Sequence, residues 1–187
     1  DIASGAGAYS FVPGQIPSLD GIVCRYTQFG SLPPSINSNG AWRTLTHEIG
    51  HWANLYHTWG PSNGSGMPSN CGLDDLVGDT PNCIGTSSGC NLSTSTCGSL
   101  DNIQNFMDYA DCEKMFTLGQ AARMNAAINS AIGQRSNLWT TPNLIATGTD
   151  DALFNNPPEC APIAEFSSSA RTTCSGNTIL FRDRSFN

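Results

Sequence analysis

The chain has few charged side chains, and most of those it has are acidic. Charged residues make up 12% of the 187 residues, Lys114 is the sole lysine, and the formal net charge is −7. This balance excludes the basic surface that nucleic-acid binding requires. A surface built mainly from Ser, Thr, Asn and Gly is typical of a secreted protein, so we expect an extracellular protein that does not bind nucleic acid.

Apolar runs of membrane-spanning length are absent as well. No segment approaches the about 20 consecutive apolar residues that cross a bilayer. The opening residues, DIASGAGAYS, lack the basic segment and apolar core of a signal peptide. We therefore expect no membrane span. We also expect the export signal to lie outside this sequence, which would make the chain a mature piece of a longer protein.

The cysteines form no Cys-x-x-Cys pair, which argues against a zinc ribbon or a thioredoxin-like site. Their even number and scattered positions indicate disulfides formed in an oxidising compartment. A set of buried free thiols is the alternative. The eight residues are Cys24, Cys71, Cys83, Cys90, Cys97, Cys112, Cys160 and Cys174.

All three histidines lie in the stretch HEIGHWANLYH, residues 47–57. His47 and His51 are four residues apart, so on a helix they project from one face, one turn apart. With Glu48 they form the His-Glu-x-x-His pattern, in which two imidazoles bind zinc and the glutamate acts on the water that zinc activates. A helix with coincidental histidines and a zinc site without catalysis are the alternatives, and the intact glutamate weighs against the second.

The third histidine, His57, lies six residues after His51. On a straight helix this spacing is a rise of about 9 Å. The donor atoms on one zinc must lie within about 4 Å of one another, so the helix must end between the two histidines. Such a stop needs a residue with positive φ, and asparagine is the best choice after glycine. We therefore predict positive φ at Asn54.

The histidine stretch is expected to follow two strands. Residues 8–12 and 21–27 alternate and are rich in β-branched and aromatic residues, which predicts strands. The second of them would be either an edge strand that pairs with an extended substrate or a plain core strand. Apolar spacings of three and four predict a helix over about residues 41–53.

After the histidines, residues 58–104 form a loop whose length needs function or disulfides to explain it. Thr117 and Gln120 predict a capping box for a second helix, with Gly133 as its C-cap. Its apolar face is predicted to contain Leu118, Ala121, Met124, Ile128 and Ala131. The stretch TTPNLIATGTDDALFNNPPECAP has the composition of a linker.

The stretch HEIGHWANLYH resembles the extended zinc signature of the metzincin metalloproteases, and Met107 in NFMDYADC resembles their methionine turn. More narrowly, TLTHEIGHWANLYHTWG, VGDTPNC and NFMDYADCEKMFTLGQAARM resemble the pappalysin family, in the order that the family has them. The resemblance covers residues 8–132. It implies an α+β, metzincin-like zinc protease domain with a long disulfide-braced loop region and a C-terminal helix.

The resemblance also implies roles for single residues. The zinc ligands would be His47, His51 and His57. Glu48 would be the general base, and Tyr109 would stabilise the tetrahedral intermediate unless it is only a packed aromatic. Met107 would be a soft apolar floor under the zinc, not a ligand.

Further implications concern the loop region. The four family cysteines pair first to third and second to fourth, which implies Cys71–Cys97 and Cys90–Cys112; the partners of the other four cysteines stay open. Calcium would bind in GLDDLVGDTPN through Asp75, Asp79 and Thr80, unless this is a solvated acidic loop. Asp111 would select Lys or Arg on the primed side of the scissile bond.

Metzincins have a twisted sheet and a long helix before the zinc helix, and only 46 residues with no helical pattern precede His47. We therefore expect the N-terminal sheet to be incomplete in residues 1–149, the catalytic domain. Residues 150–161 would be a linker, and residues 162–187 resemble the opening of a PKD-like β-sandwich, so further domains are expected in a longer chain.

These patterns predict a secreted zinc endopeptidase that acts on a protein or peptide substrate. The main alternative is a non-catalytic adhesion or binding protein that uses a metzincin-like scaffold. A zinc aminopeptidase with a distant glutamate ligand is a third reading, which His57 makes unnecessary.

Overall fold

The computed structural model describes residue 2, residues 5–28, residue 30 and residues 43–150, together with the backbone of two short strands at 166–168 and 181–183. The chain divides into two compact units, residues 1–138 and residues 139–187. The boundary predicted from the sequence lies later, after residue 149. Among the described residues, every helix falls short of the length and apolarity that crossing a bilayer would require.

Two short antiparallel strands precede the zinc helix. β1 is Ala8–Ser10 and β2 is Ile22–Cys24, in a register that places Tyr9 opposite Val23. Both strands are shorter than predicted, and the end of the second predicted strand is a 3-10 turn at Tyr26–Gln28 instead. Both strands pack beside the zinc helix, β1 more extensively.

The zinc helix, α1, spans Thr44–Trp52, within the predicted range. Its buried residues are His47, Glu48 and Gly50, so its inward face is the polar, functional one. Ile49 is 41% exposed. A Cβ built on Gly50 would collide with Met107 Sδ, so the glycine allows the helix to lie directly on the methionine.

The long loop after α1 is braced by its own buried residues and by two disulfides. It contains a 3-10 turn at Pro68–Gly72 and a small hairpin of β3, Ser95–Thr96, with β4, Ser99–Leu100. The disulfides are Cys71–Cys97 and Cys90–Cys112, the two pairs that the family resemblance implied. Within the described residues Cys24 and Cys83 have free thiols, and Cys160 and Cys174 lie outside them.

The core of the first unit is built mainly from residues in and around this loop, and not on a large sheet. Trp59 and Leu55 have no exposed surface, and Ile103 is 2% exposed. The buried apolar residues are Ala53, Leu55, Trp59, Val77, Cys83, Ile103, Met107, Ala110 and Ala127. Most of them lie in or next to the histidine stretch or the methionine turn. The core is therefore built largely from the same segments that carry the histidines and Met107.

The second helix, α2, spans Leu118–Ile128 and begins with the predicted capping box. Thr117 Oγ1 accepts a hydrogen bond from the Gln120 N–H, and Gln120 Oε1 accepts one from the Thr117 N–H. The predicted C-terminus is wrong, because the helix ends at Ile128 with Asn129 as its C-cap. Gly133 does have positive φ, 59°, but it lies in a separate 3-10 segment, Ile132–Asn137.

The predicted apolar face of α2 is wrong at its two ends, while Ala121, Met124 and Ile128 are half-buried. Leu118 is 87% exposed and Ala131 is exposed, while Gln120 and Ala127 are buried. The reason is a polar anchor: Gln120 and Asn105 exchange two side-chain hydrogen bonds of 2.7 and 3.1 Å. Asn105 Oδ1 also accepts the Met107 N–H, so the start of α2 is fastened to the methionine turn.

The second unit begins with a helix where the sequence suggested a linker. α3 spans Thr141–Thr147, with a proline in its first turn and Gly148 as a left-handed cap, φ 69°. A proline in the first turn and a glycine after the last turn are typical of helix ends. The linker prediction rested on overall composition and did not take these two residues into account. β5, Phe166–Ser168, pairs antiparallel with β6, Phe181–Asp183. The rest of the expected PKD-like module lies outside the described residues.

We expect Gln120→Ala to destabilise the fold by about 1–3 kcal/mol, because it removes the partner of the buried Asn105 amide as well as half of the capping box. Urea denaturation measures this loss. Leu118→Ala, on the same helix but 87% exposed, is the control and should change stability by less than about 0.5 kcal/mol. Equal effects of the two substitutions would contradict the anchor.

Candidate metal centre

The three histidines meet at one point. One ring nitrogen from each of His47, His51 and His57 lies within 4.8 Å of the others. Among the described residues, this is the only group of three or more His, Cys, Asp or Glu side chains that could hold a metal ion. His47 and His51 come from the same face of α1, as their spacing predicts, and His57 comes from the chain after the helix.

His57 reaches the other two because the chain reverses directly after α1. Asn54 has φ 78°, the positive value expected for a helix stop. Its N–H donates to His51 O, and the Leu55 N–H donates to Gly50 O, both at 2.8 Å. These two bonds form a Schellman motif, with Asn54 in the position that glycine usually takes. Leu55, which follows, is fully buried and holds the reversal in place.

Each histidine is oriented by a backbone carbonyl. The Nδ1 atoms contact Phe106 O at 2.6 Å, Leu55 O at 2.8 Å and Ser62 O at 2.9 Å, for His47, His51 and His57 in that order. A carbonyl only accepts, so each Nδ1 must carry the proton and each Nε2 must carry a lone pair. The carbonyls therefore set the tautomer that metal binding needs.

The donor set fits zinc. His51 Nε2 and His57 Nε2 lie 3.2 Å apart, close to the about 3.3 Å expected for two nitrogens bound tetrahedrally at about 2 Å from one zinc. Burial and the neighbouring imidazoles lower the pKa of His47 to about 3 and that of His57 to about 2. The imidazoles are therefore neutral at pH 7, which is the form that binds metal.

His57 is held by an aromatic neighbour that the sequence analysis missed. The indole ring of Trp59 stacks on the His57 ring with 4.5 Å between centroids and 1° between planes. Trp59 Nε1 donates to Ser62 O, the same carbonyl that accepts from His57 Nδ1. A Cβ on Gly85 would overlap the indole. The sequence places Trp59 two residues from the ligand, but spacing alone did not predict the stacking.

Glu48 lies in the same cleft. Burial raises the pKa of its carboxyl group, and a hydrogen bond from Ser10 opposes this shift. Ser10 Oγ lies 2.9 Å from Glu48 Oε2 and 2.8 Å from Glu48 O, so β1 fixes the carboxylate against the helix. Nothing in the sequence pointed to Ser10, because its contact with Glu48 spans 38 residues.

The methionine turn brings Tyr109 to the metal centre. Its hydroxyl oxygen lies 2.8 Å from His57 Nε2. Burial raises the pKa of the Tyr109 hydroxyl to about 12, so the group stays protonated at neutral pH. Asp108 fixes the turn by accepting hydrogen bonds from Thr58 Oγ1 and from the Tyr109 N–H. Met107 is fully buried next to α1.

The cleft is bounded by β1 rather than by the second strand. Residues 5–11, which include β1, line it together with the histidines, Glu48 and Tyr109, and β2 does not. The edge-strand interpretation concerned residues 21–27, whereas the strand that borders the cleft is β1.

Asp111, the predicted specificity residue, does not line the cleft. Asp111 is exposed, and its backbone and carboxylate bond to Gly89. The cleft is lined instead by Glu113, two residues later. Glu113 Oε2 is buried and has no hydrogen-bond partner among the described residues. Burial raises the pKa of Glu113 to about 7, and Arg43, which also lines the cleft, opposes this shift.

The acidic loop has protein partners for the groups that were expected to bind calcium. Thr80 Oγ1 donates to the Asp75 carboxylate at 2.7 Å, and burial raises the pKa of Asp75 to about 6. The Asp79 carboxylate accepts from Thr117 Oγ1 and from the Gly119 N–H at the start of α2. These bonds tie the loop to α2, and calcium at this loop stays a prediction.

Comparison with known families agrees with this geometry. A peptidase family model described as pregnancy-associated plasma protein-A matches residues 29–129, more than half of the chain. The chain belongs to the pappalysin family. The match includes the whole histidine stretch and the methionine turn.

This pappalysin-family chain is 43% identical over 104 residues to an extracellular metalloprotease of Pyricularia oryzae, covering 52% of this chain and 34% of that protein. It is 36% identical over 137 residues to an extracellular metalloprotease of Arthroderma otae, covering 68% and 47%. The chain therefore spans between a third and a half of the length of these relatives.

Among solved structures, the chain is similar to mature mirolysin of Tannerella forsythia in complex with a cleaved peptide. The TM-score is 0.62 at 32% identity, and the match covers 76% of this chain and 55% of that one. The fold is thus a mixed α/β fold similar to that of mirolysin.

We expect Asn54→Val to lower zinc affinity about 10–100-fold, the range seen when groups that orient metal ligands are changed. Valine is strained at positive φ, so the turn that carries His57 would open. Competition with a chromophoric chelator measures the affinity. Asn54→Gly is the control and should keep it; a valine variant with unchanged affinity would contradict the role of the turn.

Proposed function

We propose that this chain carries the catalytic centre of a secreted zinc endopeptidase that hydrolyses peptide bonds in protein or peptide substrates. The observation that carries the proposal is the set of three carbonyl-oriented imidazoles, two buried and one half-buried, beside the Glu48 carboxylate in an open cleft. Neutral imidazoles in this number are typical of catalytic zinc sites, which keep one position for water or substrate. Because the chain spans part of its relatives, the activity is proposed for the whole protein.

When bound, zinc supplies a Lewis acid that polarises the scissile carbonyl and lowers the pKa of water. Glu48 is the general base, whose carboxylate takes a proton from the attacking water and passes it to the leaving amine. The raised pKa of Glu48 suits a group that holds this proton between the two steps. Ser10 holds Oε2, and we assign the proton transfer to Oε1.

Tyr109 has the second catalytic role in this proposal. Its hydroxyl is protonated at neutral pH and lies next to His57, so it can donate a hydrogen bond to the oxyanion of the tetrahedral intermediate. We propose that an extended substrate pairs with the edge of β1 that faces the cleft, in β-augmentation. Ser10 then links the substrate strand to the general base.

We propose secretion because two disulfides brace the loop region, which indicates an oxidising compartment, and because the relatives are named extracellular metalloproteases. We also retain residues 150–161 as a linker and residues 162–187 as the start of a PKD-like module of a longer chain. The adhesion-protein alternative is not favoured, since a scaffold has no need of a buried carboxylate held at a metal centre.

Replacing Glu48 with glutamine in the full-length protein should lower kcat for a denatured protein substrate about 10²–10⁴-fold, the usual contribution of general acid–base catalysis. The zinc content, measured by elemental analysis, should not change, because Glu48 is not a ligand in this proposal. A chelator should abolish the wild-type activity, and added zinc should restore it. Full activity of Glu48→Gln would refute the proposed mechanism.

For substrate preference, we propose that Glu113 rather than Asp111 selects a basic side chain. Its buried Oε2 has no partner among the described residues, and it lines the cleft four residues after Tyr109. A Lys or Arg side chain would supply the missing partner, and a charged hydrogen bond of this kind is strong in a partly buried site.

The pKa of Glu113, about 7, gives this preference a pH dependence. Glu113 is neutral below this pH and ionised above it. The ratio of kcat/KM for an arginine peptide to kcat/KM for a matched leucine peptide should therefore rise as the pH increases through about 7. Glu113→Gln should give a low ratio that does not change with pH, whereas Asp111→Asn should behave as the wild type. The reverse pattern would assign specificity to Asp111.

A further inference from the structure

One arginine is hydrogen-bonded both to the turn after α1 and to the acidic loop. Arg123, on α2, donates from Nε to Asn54 O at 2.7 Å and from Nη1 to Leu76 O at 3.2 Å. Its guanidinium carbon also lies 5.4 Å from the centre of the Tyr56 ring. Arg123 does not line the cleft, and the proposed mechanism gives it no role.

Both carbonyls belong to residues in the left-handed backbone region. Asn54 has φ 78° and Leu76 has φ 63°, and neither is glycine. Such conformations are unfavourable for non-glycine residues and persist where the surroundings hold them in place. A hydrogen bond from a cation to the carbonyl of each residue is such a restraint, and it acts on the peptide plane directly.

The restraint on Asn54 bears on the placement of two of the histidines. The carbonyl of the next residue, Leu55, accepts from His51 Nδ1, and His57 follows two residues later. A shift of the peptide plane after Asn54 would therefore misplace the acceptor for His51 and the ring of His57 together. His47 would be unaffected, because its acceptor is Phe106 O.

We infer that Arg123 is a positioning residue of the metal centre, which preorganises the turn between the second and third histidines. The support behind it is rigid, since α2 starts in a capping box and its first turn is bonded to Asp79. The inference deepens the proposed function in that it takes zinc as the ion, but it does not depend on peptide hydrolysis.

An arginine is required for this role because the guanidinium presents donors in a fixed planar fork. Nε and Nη1 point in set directions, so one side chain can satisfy two carbonyls at once. Lysine keeps the positive charge but has a single ammonium on a flexible stem, and it would hold one carbonyl at most in a defined geometry. Arg123→Lys therefore separates geometry from charge.

The test measures zinc binding by the full-length protein, without a substrate. The dissociation constant is obtained by competition with a chromophoric chelator for the wild type, Arg123→Lys and Arg123→Met. We expect affinity to fall about 10–100-fold in both variants, the range for groups that orient metal ligands. Leu118→Ala, an exposed position on the same helix, is the control and should match the wild type.

A second measurement keeps the test independent of zinc and of folding losses. Amide hydrogen exchange of the metal-free protein should speed up at Asn54 and Leu55 in Arg123→Lys, while exchange in the core of α2 stays at the wild-type rate. Unchanged zinc affinity, or unchanged exchange at these two amides, would overturn the inference. Equal acceleration throughout the unit would also overturn it, because Arg123 would then be a general stabilising residue.

The two proposals can fail separately. A protein that binds zinc, loses affinity with Arg123→Lys and hydrolyses no peptide would support the positioning role and refute the endopeptidase. A protein that hydrolyses peptides with Arg123→Lys at wild-type zinc affinity would do the opposite.

Discussion

The reversal of the chain at Asn54 is the constraint on which the metal centre depends. Two ligands can come from one helical face, but a third from the same segment requires the helix to stop and the chain to return within six residues. The structure meets this requirement with one Schellman motif. The same turn presents Leu55 O to His51, so a single local conformation both delivers His57 and sets the tautomer of His51.

The methionine turn supports the helix that leads into this reversal. Gly50 lies against Met107, Phe106 O orients His47, and Asn105 is fastened to Gln120 at the start of α2. Consecutive residues of one short segment thus support the zinc helix, orient a ligand and join the second helix. The hydrogen bonds between Asn105 and Gln120 are directional, which an apolar contact is not. They explain why Gln120 faces inward on α2 while Leu118 is exposed to solvent.

The part of this centre that the sequence could predict is the part encoded in local spacing. His47 and His51 share a face because of helical period, His57 requires a stop, and Asn54 can supply it. The capping box at Thr117 follows from the same kind of local rule. Residues that act across long separations could not be found this way: the contact of Ser10 with Glu48 spans 38 residues and that of Arg123 with Asn54 spans 69.

Composition was a poorer guide than spacing. The stretch that begins at Thr140 is polar and proline-containing, yet Thr141–Thr147 is a helix because proline fits a first helical turn and Gly148 caps the end. In the same way, Asp111 has the acidic side chain that basic specificity needs, but it is bonded twice to Gly89 and does not line the cleft. In both cases backbone geometry decided the outcome, and residue type alone did not carry that information.

The electrostatics of the centre link metal binding to folding. The three imidazoles are desolvated with their lone pairs directed at one another, and two of these nitrogens are 3.2 Å apart. Protonation would relieve this in water, but burial lowers the pKa of His47 and His57 far below neutral. The Tyr109 hydroxyl reaches His57 Nε2, but a cation at the three nitrogens would satisfy them together without unfolding the turn. Zinc would bind this folded arrangement in preference to the unfolded chain, so its binding free energy would add to the stability of the reversal at Asn54 that created the site.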